Sequence, residues 1–499
     1  MIWSLIASVI SLGISFFMTP YISERLGIEA YGFITLGNTV ISYINIISAA
    51  INSYAARYIG VHYHRGELDK ANSYYGSVLI ANILLSISAL AIGGFLILKL
   101  NMLINIPDNL IGSVKLLFFV VLINYFLNLI GATFSSVMFI KNMASITSRI
   151  NSYSSVIYAG ILLGGIYFGT IRVYSMAIAH LIAYGFVLIC NLKISRRVAP
   201  ELIPRIKSSS GSYIKILASA GMYNSINYLG GTLGSGLDLL VTNICLSNTI
   251  MGQISVCQQI GGIIGTVYNA FSGAFQPKEL EAYSRKDNKM LIRYLRFNMQ
   301  LTGAIGNVFF FGFLFLGKGF FKLWMPEEDY AYLYQITVII LIGHLLVSIV
   351  TPLWYVFTLT VKMRTICITT VLCGMANVLS MMVLLKITTF GGYIVVGTTA
   401  ALDLVSVIQC PYLCKKYLEI ENDPFIIDIL KHFGVAIFFS IVYVFIGHDF
   451  FFYNWCQFLW YGIAFAIISF LVCYLVQFDR TGRVLLKNFI KEKVHKRLN

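Results

Sequence analysis

Apolar residues run along this chain in long continuous stretches, without the period-two alternation of a half-buried strand or the narrow stripe of a surface helix. Stretches of about 18 residues or more recur from end to end, each long enough to cross a bilayer as a helix. In lipid only helices and closed barrels satisfy every backbone group, and a barrel needs alternation. The pattern therefore predicts an all-α polytopic membrane protein with about fourteen transmembrane helices. They fall near 1–22, 31–55, 72–98, 110–140, 147–169, 171–192, 216–247, 250–276, 296–321, 331–360, 363–386, 391–414, 431–448 and 455–477. Short connections make consecutive helices antiparallel neighbours.

Composition agrees. Of 499 residues 58% are hydrophobic and 11% charged, where a soluble domain carries about 25% charged residues. The first apolar run continues to Pro20 with no cleavage-site pattern, so no signal peptide is expected. The net charge of +15 would suit a nucleic-acid partner, but its placement argues otherwise. Alternate connections, at 56–71, 141–149, 193–215, 277–296, 361–364, 415–431 and the tail from Phe478, hold 29 of the 36 Lys and Arg. The other side holds Arg25, Lys99, Lys115, Arg172, Lys318, Lys322 and Lys386. This asymmetry puts both termini in the cytoplasm and leaves no cation in the middle of a span. It offers a contact for anionic lipids, and no nucleic-acid partner is expected. The nine cysteines form no CxxC pair. Cys410 and Cys414 share a helix face as packing residues, and neither a metal site nor a cofactor is expected.

Three landmarks occur twice. The charged stretch from Ala56 has a counterpart from Gln276, the turn at Pro107 one at Pro326, and the basic turn at Lys141 one at Lys362. The offsets are all close to 220 residues, so the unit is six helices. Six is even, so both copies point the same way, as in parallel-repeat transporters. The expected organisation is an N-lobe at 1–192 and a basic cytoplasmic linker at 193–215. A C-lobe at 216–414, a cytoplasmic loop at 415–430, two further helices at 431–477 and a basic tail at 478–499 complete it.

Polar residues recur at steps of three and four on four helices, which places them on one helical face. The first carries Ser4, Ser8, Ser11, Ser15 and Thr19; the second Asn38, Ser42, Asn45 and Asn52. The seventh carries Asn224, Asn227, Gly231, Gly234, Asp238 and Thr242; the eighth Gln258, Gly262, Gly265, Asn269, Ser272 and Gln276. These are equivalent pairs under the repeat, and a polar cavity between the lobes is expected. Its candidate lining is Asn38, Asn45, Asn52, Asn224, Asn227, Asp238, Gln258 and Asn269. Small residues alone would also be explained by close helix packing. Asp238 and Asp403 are acids inside spans, where an ionised carboxylate costs roughly 2.5–3.5 kcal/mol even on the lenient scale. Asp238 lies on a seam and is a candidate for ion coupling or substrate contact. Asp403 is a candidate for ion coupling or for a structural hydrogen bond. His180 and His344 read as core residues.

The stretch TPYISERLGIEAYGF carries Pro20, Leu26-Gly27 and Tyr31-Gly32. Pro20 is expected to end the first helix, with ERLGIEA as an outer turn and Gly27 and Gly32 permitting the reversal. This spacing, together with Arg57 and the RGELD turn before the third helix, resembles polysaccharide flippases of the multidrug/oligosaccharidyl-lipid/polysaccharide exporter superfamily. The resemblance implies two six-helix lobes that open alternately to each side of a bacterial cytoplasmic membrane. The implied cargo is a lipid-linked oligosaccharide repeat unit on undecaprenyl pyrophosphate, destined for O-antigen, capsule or exopolysaccharide. It implies polysaccharide polymerase machinery as a partner, H+ or Na+ as coupling ion, and a monomer. Arg25 and Arg57 are then the pyrophosphate candidates, although Arg57 reads equally as a membrane-edge anchor. Lipid II flippases of the superfamily carry arginines within their first spans and this chain carries none there at depth, which disfavours a peptidoglycan precursor. An ion-coupled small-molecule exporter is the nearest alternative. A membrane enzyme would need a catalytic cluster, and the short outer loops hold only Pro326-Glu327-Glu328-Asp329.

Overall fold

A computed structural model of the chain describes residues 2–421, 423–446 and 450–487, and for residues 2–9, 11 and 144 the backbone alone. Ser4, Ser8 and Ser11 of the first seam therefore lie outside the described side chains, and residues 488–499 of the basic tail outside the described residues. Among the described residues there is no strand. Eleven helices are long and apolar enough to cross a membrane. The helices Ile2–Leu26 and Ala144–Tyr167, and the broken helix from Gly211 to Cys245, bring the span-length segments to fourteen. In chain order they are α1 Ile2–Leu26, α2 Ile28–His64, α3 Leu68–Leu98, α4 Ile111–Ile140, α5 Ala144–Tyr167, α6 Ser175–Val198, and α7 Gly211–Gly231 resumed as Asp238–Cys245. There follow α8 Asn248–Gly273, α9 Asn288–Trp324, α10 Tyr330–Val350, α11 Arg364–Ile387, α12 Gly392–Tyr417, α13 Ile426–Ile446 and α14 Trp455–Val476.

The internal repeat reappears in the helix boundaries. α2 and α8 start at Ile28 and Asn248, α3 and α9 at Leu68 and Asn288, α5 and α11 at Ala144 and Arg364, each 220 residues apart. The turn between α2 and α3 uses Gly66 at φ 78, and its counterpart uses Lys286 at φ 58. The same left-handed corner is thus kept where the second copy has lost the glycine that makes it easy.

The opening motif is built differently from its sequence expectation. Pro20 does not end α1; it sits inside it, and the helix continues to Leu26. One proline removes a single backbone donor, and an apolar helix tolerates that when its neighbours hold it. The break is one residue, Gly27 at φ 88, after which α2 begins at Ile28. Arg25 therefore belongs to the last turn of α1. Gly32 makes no turn either: it lies in α2, where an added Cβ would come 3.0 Å from the Gly252 Cα of α8. It permits close approach of two helices.

Packing divides the chain into two compact units, Met1–Ser255 with Cys367–Val378, and Val256–Ile366 with Leu379–Asn499. This partition differs from the one drawn at 193–215, because α7 and the middle of α11 pack in the first unit. In that unit α2 is central, against α3, α4 and α7, with Ile59, Tyr75, Val137 and Leu217 buried around it. The 193–215 segment is tied down: Asn72 of α3 donates to the Glu201 carbonyl at 3.1 Å and accepts from the Ile203 amide at 3.0 Å. Tyr63 donates to the Glu201 carboxylate at 2.6 Å, and Lys141 approaches it to 3.1 Å. Hydrogen bonds from Tyr63 and the backbone, then Lys141, hold that carboxyl down at about 2.

In the second unit α9 is central, against α10, α13 and α14. A buried polar column joins it to α13. Arg296 donates from Nε to Asp428 at 2.6 Å, Gln300 donates to the same carboxylate at 2.8 Å, and Asn307 meets His432 at 2.9 Å. Farther along, Phe311 stacks on Phe439 with centroids 4.0 Å apart. The two helices beyond the repeat are thus fastened to the body by α9.

Candidate functional site

The first unit has a polar node at the break in α7. Residues Thr232–Gly236, TLGSG, form a π turn, and Gly230 just before it lets α11 lie close, since an added Cβ there would come 2.6 Å from Thr370. Such a turn takes carbonyls out of the α-helical ladder and recurs at functional positions. Two side chains from other helices accept that role. Tyr43 of α2 donates to the Gly236 carbonyl at 2.7 Å, and Asn377 of α11 donates to the Gly234 carbonyl at 2.5 Å. Asp238 opens the resumed helix immediately after, 2% exposed and close enough to Tyr43 to act on it electrostatically. Sequence periodicity singled out Asp238 but not Asn377. The one available signal for Asn377 was an amide in the apolar run TVLCGMANVLSMM.

The other seam residues of this unit fall into two groups. Asn38 is exposed, Asn224 and Asn227 are half-buried, and among the described residues their amides make no hydrogen bond. Asn45 is half-buried and its Oδ1 accepts from Ser48 at 3.3 Å. Asn52 is committed elsewhere: its amide pairs reciprocally with the buried Asn82 of α3 at 3.0 and 2.9 Å, and Asn82 also donates to Thr133 of α4 at 2.8 Å. That is an interhelical clamp. Part of the α2–α7 contact is small-residue packing, since Gly221 lies on the Ala50 backbone and Ser225 donates to the Ile46 carbonyl. Arg25 is exposed over Tyr21 at 5.5 Å, and Arg57 is exposed over Tyr54 at 6.0 Å, at opposite ends of the α1–α2 pair.

In the second unit the α8 seam opens onto a cavity of about 310 Å³. Its lining includes Tyr268, Asn269, Ser272 and Gln276, faced by Trp354 and Tyr355 beyond the end of α10. Asn269 donates to the Gly265 carbonyl at 2.8 Å and stays exposed. Gln258 sits half-buried two turns or more away and does not line this cavity. Tyr268 also meets His344 Nδ1 of α10 at 3.1 Å. Asp403 of α12 packs against Gly343 and acts electrostatically on Tyr268. Among the described residues it makes no hydrogen bond. Sequence reading left Asp403 and His344 as isolated residues; the fold gathers them around Tyr268.

A third feature of the second unit is an apolar groove of about 480 Å³. Val267 of α8, Ile305 and Phe309 of α9, and Ile463, Ile467 and Phe470 of α14 line it. Among the described residues, no group of three or more His, Cys, Asp or Glu is arranged to hold a metal ion.

No family model matches the sequence. An uncharacterized membrane protein, EpsK of Bacillus subtilis (strain 168), is 26% identical over 443 residues, which span 87% of this chain and 86% of that protein. Among solved structures, the lipid II flippase MurJ in an inward closed conformation superposes with a TM-score of 0.67 at 14% identity, over 98% of this chain and 100% of that one. An inward-facing multidrug resistance MATE family transporter of the MOP superfamily superposes with a TM-score of 0.63 at 12% identity, over 83% of this chain and 96% of that one. The chain is a multi-pass membrane protein with the fold of MOP superfamily transporters.

Proposed function

We propose that the chain is a polysaccharide flippase of that superfamily. It carries a lipid-linked oligosaccharide repeat unit, on undecaprenyl pyrophosphate, from the cytoplasmic to the outer leaflet of a bacterial cytoplasmic membrane by alternating access. The observation that carries this reading is the extent of the likeness: it takes in nearly all of this chain and all of a lipid flippase, whereas the multidrug transporter accounts for 83% of this chain. The chemistry of the sites supports it. Uncommitted amides on Asn38, Asn224 and Asn227, and the Asn269 and Gln276 cavity with its tyrosines and tryptophan, suit a neutral, hydroxyl-rich glycan. The groove on α8, α9 and α14 is the kind of surface an isoprenoid chain covers. Arg25 and Arg57 are the cations we assign to the pyrophosphate, one at each end of the α1–α2 pair. Asp238, behind a π turn, and Asp403, near Tyr268, are the carboxyls for coupling to H+ or Na+. Both termini lie in the cytoplasm, and the flipped unit passes to a polysaccharide polymerase.

A deletion strain tests this. Surface polysaccharide is measured together with the leaflet that holds the lipid-linked unit, in right-side-out and inverted vesicles. The expected result is loss of surface polymer with the unit trapped in the cytoplasmic leaflet, restored by the wild-type chain and not by Asp238→Asn. Units that reach the outer leaflet normally would overturn the reading. Intact polysaccharide with increased drug sensitivity would replace it with small-molecule export.

A further inference from the structure

The first unit holds a second polar cavity that none of the seams touches. It lies among α4, α5 and α6, with a volume of about 390 Å³, within the roughly 300–1,000 Å³ typical of small-ligand sites. Its polar lining includes Asn128 of α4, Asn151 and Ser155 of α5, and His180 and Asn191 of α6. An aromatic column borders it: His180 stacks on Tyr158 with centroids 4.1 Å apart and on Tyr184 at 5.4 Å.

Two observations point to a ligand site. Asn191 is 3% exposed, and its Nδ2 donates to the Gly131 carbonyl at 3.1 Å, yet its Oδ1 has no hydrogen-bond partner. A buried amide oxygen left unmade costs about 1–3 kcal/mol. His180 likewise makes no hydrogen bond among the described residues. The position is also repeated: Leu127, Gly131 and Ser135 on α4 line this cavity, and Val347, Thr351 and Tyr355, each 220 residues later, line the aromatic cavity of the second unit.

The lining selects the ligand class. It contains no Lys, Arg, Asp or Glu, so it has nothing for a phosphate, a uronate or an ammonium group. It offers amides, hydroxyls and an imidazole beside aromatic rings, which suits a ring with hydroxyl edges and C–H faces. We propose that the α4–α5–α6 cavity binds one uncharged sugar ring of the cargo. This rests on the flippase reading for the identity of the cargo, and assigns to it a site separate from the seams and from Asp238.

The test is saturation-transfer NMR on the full chain in nanodiscs. The probes are methyl glycosides of glucose, galactose, N-acetylglucosamine and N-acetylgalactosamine, with methyl glucuronide as the charged comparison. His180→Phe keeps the aromatic column and removes the ring nitrogens; Asn151→Leu removes a lining amide that holds no other part of the fold. Saturation transfer to at least one neutral glycoside, reduced about five-fold or more in both variants at unchanged unfolding temperature, is the expected result, as loss of one hydrogen bond implies. No transfer to any neutral probe, equal transfer in the variants, or equal transfer to the glucuronide would each overturn the assignment. Because the readout is binding, normal flipping without ring-specific transfer removes this site and leaves the flippase standing. Ring-specific transfer in a chain whose deletion leaves the leaflet distribution unchanged does the reverse.

Discussion

At the scale of single residues, the same residue type does different work according to what lies opposite. Asn52 and Asn224 are indistinguishable by periodicity, but Asn52 is spent on Asn82 while Asn224 makes no hydrogen bond among the described residues. The α7 break shows the converse, since its carbonyls are held by residues 193 and 143 positions away, Tyr43 and Asn377. Tyr43→Phe and Asn377→Leu should each lower thermal stability modestly, by about 0.6–1.7 kcal/mol for one interhelical hydrogen bond in a membrane protein. Under the proposed function they should lower flipping by a larger factor, because each releases the turn that precedes Asp238. Unfolding in detergent together with the vesicle leaflet assay checks both. A stability loss with transport unchanged would make the node a structural one.

At the scale of elements, helix ends and helix crossings carry the argument. Gly27 alone separates α1 from α2, and Gly32 allows α2 to lie against α8. α13 is held by Asp428, which is fully buried and takes three hydrogen bonds from Arg296 and Gln300. Removing one partner of a buried ion pair leaves the other charge uncompensated and costs about 3–5 kcal/mol. Arg296 is 27% exposed and keeps a second carboxylate, Asp479, at 3.3 Å, so Asp428→Ala should cost no more than the lower end of that range, about 3 kcal/mol. The double replacement Arg296→Met with Asp428→Leu should recover part of it, read from unfolding curves in one detergent. The column was not legible in sequence, because Arg296 looks like one more cation of a basic loop and Asp428 like a loop acid. Their separation of 132 residues leaves no local pattern to find.

At the scale of the whole molecule, two six-helix copies and two added helices account for the fourteen span-length segments of the described residues. α2 and α9 have 37 residues each, about 55 Å at the helical rise and well beyond the roughly 30 Å of a bilayer core. They must project from the membrane at one end, and the basic stretches at 56–71 and 277–296 lie on those ends. Alkaline phosphatase fusions should accordingly be inactive after residues 143, 207, 287 and 362 and active after 107, 170, 326 and 389. Activity in the opposite set would reverse the expected orientation and with it the proposed direction of flipping.

The sequence by itself determined the fold class and the repeat, and it marked the apolar runs, eleven of which are helices long and apolar enough to cross a membrane among the described residues. These are one-dimensional properties: an apolar run either exceeds the bilayer thickness or does not, and a repeat is an offset along the chain. It also marked Asp238, since a carboxyl in an apolar run is conspicuous without any partner. Tertiary structure decided the rest: that Pro20 sits within a helix, that Asn52 is a clamp, that Asp403 and His344 both come to Tyr268, and that an α4–α5–α6 cavity exists. The physical reason is the same in each case. A hydrogen bond, a void or a tolerated break is defined by atoms on neighbouring helices, and which helices are neighbours is settled by packing, tens to hundreds of residues away in the chain.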